Sequence, residues 1–244
     1  MCLFSKKQSI LRAGLLNNMT DIHSHILYGV DDGMQTQQQS LEALEVLEKQ
    51  GISSIYLTPH IMEDSSQDRV RLLCSQFEEL KAAYKGNIRL QLAAEYMLDN
   101  EFETLLADSS NKLLTLGENH VLLETSYINP PLGFHTTLKK VIKQGYFVVL
   151  AHPERYLYME QSDYKKLKST NALCFQLNLL SLVGCYGKSA QKKAFFLLRN
   201  DYYDFAGSDI HNLDFHLQGY NRNILSNADV KKLQQLLKNN SRFC

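Results

Sequence analysis

The sequence predicts a single α/β domain whose parallel strands close into a barrel. Two observations carry that expectation. Seven short apolar runs alternate with helical patterns from Thr20 to the end, and six of the seven carry a histidine or a carboxylate at or near their C-terminal end. Unbroken βα alternation implies a parallel sheet. An open doubly wound sheet is the alternative, but it collects its site at one switch point, whereas polar residues after nearly every strand suit a barrel. The chain has 244 residues, within the usual range of one such barrel, and no Pro/Gly/Ser-rich linker, long charge run or internal repeat divides it.

The first run is TDIHSH (20–25), preceded by a leader over 1–17 that is expected to lie loosely outside a domain spanning 18–244. Leu41, Leu44 and Leu47 then recur at spacings of three, which predicts a helix over 40–50 that Gly51 stops. ISSIYLTPH (52–60) is the second strand, and Leu72, Leu73, Phe77 and Leu80 mark a helix over 69–85 before Gly86. IRLQLAAEY (88–96) and HVLLETS (120–126) are the third and fourth strands, and a helix over 136–143 ends at Gly145. YFVVLAHPE (146–154), LCFQLNLL (173–180) and YDFAGSDIH (203–211) complete the set. Helices are expected over 190–199 and 228–239, the latter with Ser226 and Asn227 as cap candidates.

Composition excludes several classes. Lys plus Arg and Asp plus Glu both total 26, so the basic excess of a nucleic-acid binder is absent. No stretch approaches eighteen apolar residues, so no membrane span is expected, and MCLFSKKQS lacks the apolar core of a secretory signal. The five cysteines are odd in number and widely spaced, which reads as free thiols in a reducing cytoplasm. None has an arginine six residues on, so a thiolate phosphatase loop is not expected.

Five of the eight histidines fall at the C-terminal end of a predicted strand, where a barrel builds its site. Period-two alternation groups the inward positions: Asp21, His23 and His25; Tyr56, Thr58 and His60; Gln91, Ala93 and Glu95; His120, Leu122 and Glu124; Val148, Leu150 and His152; Phe205, Gly207 and Asp209. The sixth strand offers Gln176 and Asn178 instead. A lone HxH is more often a pair of ordinary histidines, and Glu124 or Asp209 alone would be a cap or a surface charge. Six strand ends together make that coincidence improbable. Histidine and carboxylate without cysteine suit Mn²⁺, Zn²⁺ or Fe²⁺. His23, His25, His60, Glu95, Glu124, His152, Asp209, His211 and one of the adjacent Asp31 and Asp32 are too many ligands for one ion. A cluster of three such ions attracts a phosphate dianion, and water held there loses a proton near neutral pH to give an attacking hydroxide. The expectation from residues alone is a multinuclear hydrolase of phosphoesters.

DIHSHILYGVDDG (21–33), LTPH (57–60), AAEYMLD (93–99), LLETSY (122–127), AHPERY (151–156) and SDIHN (208–212) resemble the PHP (polymerase and histidinol phosphatase) superfamily. Within it they are most similar to the CpsB/CapC-type bacterial metal-dependent protein-tyrosine phosphatases, over about residues 20–215. The resemblance implies a distorted (β/α)₇ TIM-like barrel and three divalent ions, Mn²⁺ first with Fe or Zn as alternatives. By motif position His23, His25, Glu95 and Asp209 would hold one ion, Asp32, His60 and His211 a second, and Glu124 and His152 a third with Glu95 bridging. It points to Asp32 rather than Asp31. Arg155 and Glu95 would be the catalytic residues, with Arg155 clasping the phosphate and Arg155 and Tyr156 binding substrate. It also implies a partner: a phosphotyrosine-bearing protein, typically a tyrosine autokinase of capsule or exopolysaccharide synthesis. The sequence departs from the pattern at Tyr28, at Ile61, and at His216, where relatives often place an arginine.

Other readings stay open at this level. They are a small-molecule phosphatase of the histidinol-phosphate type, a PHP nuclease that the missing basic excess disfavours, an amidohydrolase-like barrel, and a non-catalytic kinase-binding barrel. The amidohydrolase class bridges its metals with a carboxylated lysine where this chain has Glu124.

Overall fold

The computed structural model of the chain describes residues 7–62, 67–108 and 112–244. Nine parallel-paired strands alternate with helices in the order β1 (Thr20–Asp21), α1 (Gln37–Lys49), β2 (Ser54–Leu57), β3 (His60–Ile61), α2 (Gln67–Ala83), β4 (Arg89–Leu92), β5 (Glu95–Met97), α3 (Asn100–Ala107), β6 (His120–Glu124), α4 (Phe134–Lys143), β7 (Phe147–Ala151), α5 (Gln161–Lys168), β8 (Leu173–Asn178), α6 (Leu179–Leu182), α7 (Gly187–Arg199), β9 (Phe205–Gly207), α8 (Leu213–Tyr220) and α9 (Asn227–Asn239). All seven expected runs contain a strand, and all five expected helices are present. The helices α3, α5, α6 and α8 lacked a periodic apolar signal of useful length; each spans eight residues or fewer.

The expected single α/β domain with parallel sheets is present, without a closed ladder. Among the described residues the strands form two sheets, β1-β2-β4 and β3-β5-β6-β7-β8-β9, and no continuous ladder closes them. The second and third runs are each broken, at 58–59 and 93–94, which splits one path into two. Between the first and last strands a single parallel bridge joins Ser24 to Ile210, supported by His25 N–H to Ile210 O at 2.9 Å and Asp209 N–H to His23 O at 2.8 Å. Buried Asp21 adds a side-chain link, accepting from Ser208 N–H at 2.9 Å.

Alternation along the strands feeds two cores. Tyr56, Ala93, Leu122, Val149, Ala151 and Phe205 meet Ile22 and Phe243 in a small inner cluster. Their neighbours Ile55, Leu57, Val121, Leu123, Val148 and Leu150 face the helices in the main core. Of the expected leader, residues 1–6 lie outside the described residues. From Gln8 the chain is packed rather than loose: Gln8 bridges Leu225, and Ile10, Leu15 and Leu16 are buried in the main core. No described helix is long and apolar enough to cross a membrane.

Candidate metal centre

The strand ends place most of the expected side chains at one end of the sheets, but each arrives by its own route. His23 and His25 lie beyond β1. Their backbone is fixed by Thr58 N–H to Ser24 O at 2.8 Å and by the two bonds to 209–210. Gly207 lets His23 in, since a Cβ there would stand 2.7 Å from that of His23. Gly33 does the same for His25, where an added Cβ would meet the His25 carbonyl oxygen at 2.1 Å. The glycine of the DDG string is therefore a close-approach residue.

His152 corrects the alternation argument. Val148 and Leu150 face the outer core, so a continued strand would carry His152 outward with them. His152 instead adopts φ 34° and ψ 53°, which turns the ring back into the site. Asp209 is likewise left-handed, with φ 54°. Such conformations are uncommon for residues with a side chain and cluster at functional sites.

Four ligand-type atoms converge at the centre. His23 Nε2 lies 3.1 Å from both His25 Nε2 and Glu95 Oε2 and 3.3 Å from Asp209 Oδ1. His25 Nε2 lies 3.3 Å from each of the same oxygens. The outer ring nitrogens fix the tautomers: His23 Nδ1 faces Gln176 Oε1 at 3.1 Å, and His25 Nδ1 faces Asp31 Oδ2 at 2.8 Å. Those oxygens only accept, so in the neutral rings each Nδ1 carries the hydrogen and each Nε2 presents a lone pair. Four acceptors then face one point, which is the environment of a cation. Burial opposes charge on both rings, but Glu95 and Asp209, joined at His25 by Asp31, outweigh it and raise both pKa values, so the pocket draws positive charge.

Two further groups share these residues. His25, Asp32, His60 and His211 form one, and His60, Glu95 and Glu124 the other. His60 Nδ1 stands 2.9 Å from Glu124 Oε1 and 3.2 Å from Glu95 Oε2, while its Nε2 is 3.5 Å from Asp32 Oδ1. Asp32 Oδ1 is 3.3 Å from His211 Nε2. His60 Nδ1, Glu95 Oε2 and Glu124 Oε1 are buried without an aligned hydrogen-bond partner. Such orphaned atoms fit coordination and are otherwise costly. Of the nine expected ligands, His152 alone joins none of these three groups; its Nε2 is 3.0 Å from Glu95 Oε1.

The adjacent aspartates divide the work. Asp32 is 74% exposed at the mouth. The Asp31 side chain is buried, and although burial works against its charge, His25 and the amides of Gly33 and His60 hold it below the usual carboxylate range. It orients His25 rather than facing the shared pocket.

Arg155 does not pair with Glu154. Its Nη1 donates to Asp209 Oδ2 at 2.8 Å, and its guanidinium lies 4.4 Å from the ring centre of Tyr127 and 4.1 Å from that of Tyr186. Glu154 is buried. It accepts from Asn178 N–H at 3.0 Å and Tyr203 O–H at 2.8 Å, and Asn178 in turn donates to Asp209 Oδ2 at 2.7 Å. Tyr156, expected to bind substrate, has no exposed surface, donates to Ala151 O at 2.8 Å and packs in the core. His216 is also buried, with its nitrogens 3.0 Å from the carbonyls of Asn212 and Ser208, and does not supply the cation that an arginine there would. Burial raises Cys185 and Cys174, the latter to about 11, which disfavours a thiolate nucleophile. Gln176 and Asn178, which look like a silent strand end, and Tyr127 and Tyr186 are the supporting residues that spacing alone does not reveal.

The family model described as "Capsular polysaccharide synthesis, CpsB/CapC" matches residues 19–242. The tyrosine-protein phosphatase CpsB of Streptococcus pneumoniae is 28% identical over 240 residues, which cover 92% of this chain and 97% of the relative. That of Streptococcus agalactiae serotype V is 30% identical over 204 residues, covering 80% and 84%. Among solved structures, a chain from the crystal structures of YwqE from Bacillus subtilis and CpsB from Streptococcus pneumoniae, described as metal-dependent tyrosine phosphatases, superposes with a TM-score of 0.65 at 24% identity. That match covers 91% of this chain and 95% of the other, and it shows a shared fold. The chain belongs to the CpsB/CapC family of capsular polysaccharide synthesis.

Proposed function

We propose that this protein is a metal-dependent protein-tyrosine phosphatase. The observation that carries the reading is the convergence of His23 Nε2, His25 Nε2, Glu95 Oε2 and Asp209 Oδ1 on one point, with Arg155 bonded to the same Asp209. The relatives named as tyrosine-protein phosphatases support the choice of substrate. We assign three divalent ions, Mn²⁺ foremost. His23, His25, Glu95 and Asp209 would hold one, and Asp32, His60 and His211 a second. Glu124 and His152 would complete a third with Glu95 shared. Bound there, such ions supply the positive charge that draws a phosphate dianion and acidifies water.

The chain's own residues do the rest. Asp31 and Gln176 hold the two central imidazoles in the tautomer that leaves Nε2 free. Arg155 is pinned by two rings and one carboxylate, so its remaining N–H groups are oriented in advance to take phosphate oxygens. We read the two sheets and their hooked edges as a distorted (β/α)₇ barrel, with the phosphatase domain over 18–244. The partner is a phosphotyrosine-bearing protein of capsule synthesis, a tyrosine kinase foremost, in the cytoplasm. Hydrolysis of phosphotyrosyl, phosphoseryl and histidinol-phosphate substrates with added Mn²⁺, each against a chelator control, tests this. Chelator-sensitive turnover led by phosphotyrosine is expected. Turnover indifferent to chelation, or led by histidinol phosphate, overturns it.

A further inference from the structure

We propose that Tyr127, Tyr186 and Phe215 form, with Arg155 between them, an aromatic wall that receives the aryl ring of the substrate and makes the site selective for aryl over alkyl phosphates. The proposal deepens the phosphatase reading and rests on it. The wall is continuous with the metal centre. Arg155 joins Asp209 at 2.8 Å, and the guanidinium is stacked between the Tyr127 and Tyr186 rings at 4.4 and 4.1 Å. Phe215 meets Tyr186 edge-on, with ring centres 6.4 Å apart. On its inner side Tyr127 lies 5.9 Å from the His152 ring, so one ring touches both the charged pocket and its rim.

On the Arg155 side, away from Asp32, the rim is open and apolar. Tyr127 keeps 37% of its surface exposed, Phe215 40% and Leu157 60%. Leu157 stands beside Tyr127, its N–H donating to Tyr127 O at 2.7 Å. Exposed rings held in one orientation next to a phosphate-binding cation invite a ring attached to that phosphate. The guanidinium fixes Tyr127 and Tyr186 before any ligand arrives, so little further ordering is needed on binding. A seryl or small alkyl phosphate can reach Arg155 and the metals, but it has no ring to stack.

The test uses the full chain loaded with Mn²⁺ and compares the parent with Tyr127→Ala, Tyr127→Phe and Phe215→Ala. Two readouts are taken: kcat/KM on one peptide carrying phosphotyrosine or phosphoserine, and calorimetric binding of phenylphosphonate and methylphosphonate. In Tyr127→Ala the ratio of aryl to alkyl kcat/KM should fall about tenfold, mainly through KM, as loss of one ring contact at the mouth implies. Phenylphosphonate should weaken towards methylphosphonate. Tyr127→Phe should restore the ratio, and Phe215→Ala should lower it by a smaller factor. If Tyr127→Ala and Phe215→Ala leave the ratio and the difference between the phosphonates at parental values, the wall proposal fails while the phosphatase reading stands, and Tyr127 only steadies Arg155. A parent that neither hydrolyses phosphotyrosine nor binds either phosphonate overturns the phosphatase reading, and the wall with it.

Discussion

Glu95 faces four imidazoles at once: its Oε2 lies 3.1 to 3.3 Å from ring nitrogens of His23, His25 and His60, and its Oε1 is 3.0 Å from His152. Despite full burial it is held well below the usual carboxylate range by His23, His152 and His25. Glu95→Gln keeps the shape and removes the charge. We expect kcat to fall by about two to three orders of magnitude, with fewer metal ions per chain by elemental analysis, while the circular dichroism spectrum stays unchanged. A folded Glu95→Gln protein with parental turnover contradicts the bridging role. Arg155→Lys tests the phosphate clasp. An ammonium can neither fill the slot between two rings nor offer two parallel donors, so turnover should drop at least about tenfold with metal content intact. Inorganic phosphate should also inhibit the variant less. Parental values for both would leave Arg155 as a brace for Asp209 alone.

At the scale of elements, the loop after β1 and the ends of β7 and β9 were the least legible. Apolar runs locate strands because burial on both faces demands them, and Gly51 and Gly145 follow helix ends where expected, while α2 ends at Ala83, ahead of Gly86. Alternation cannot foresee a left-handed residue, so it placed Val148 and Leu150 on the inward face with His152, whereas only His152 turns into the site. Nor can spacing tell Asp31 from Asp32; that depends on Gly33 lying flat against His25. Gly33→Ala should therefore be severe for so small a change. With backbone only 2.1 Å from the new carbon, the loop must move, and we expect a loss of about 2–3 kcal/mol in urea melts together with weakened metal binding. A Gly33→Ala protein with parental stability and metal affinity would show that the loop relaxes freely.

The whole molecule carries a pH dependence at the end remote from the metals. His120 stacks on Phe147 at 4.8 Å and edges Phe243 at 5.0 Å, with its Nε2 buried and unpartnered. Burial, and then the charge of Arg242, lower its pKa to about 4. The unfolded chain, with a histidine near about 6.5, binds this proton more readily than the folded one. Stability from this group is thus complete above about pH 6.5 and is lost as the pH falls towards about 4. His120→Phe removes the liability and keeps the stack. Between pH 7.5 and 5 its melting temperature should fall less than that of the parent. Equal falls would mean that His120 takes no part in the acid sensitivity.

The sequence by itself determined the alternating α/β plan, the strand ends that carry chemistry and the type of ligand they offer. These follow from local period and residue type, which any packing must respect. Only the tertiary structure decided which atoms meet. The left-handed turn at His152, the pairing of Arg155 with Asp209 and the burial of Tyr156 and His216 are contacts between distant parts of the chain. The reach of Gln176 and Asn178 into the support of the central ligands, and the two-sheet arrangement in place of a continuous ladder, have the same origin. Such contacts form when many surfaces pack at once, so their geometry has no counterpart in the spacing of residues along the chain.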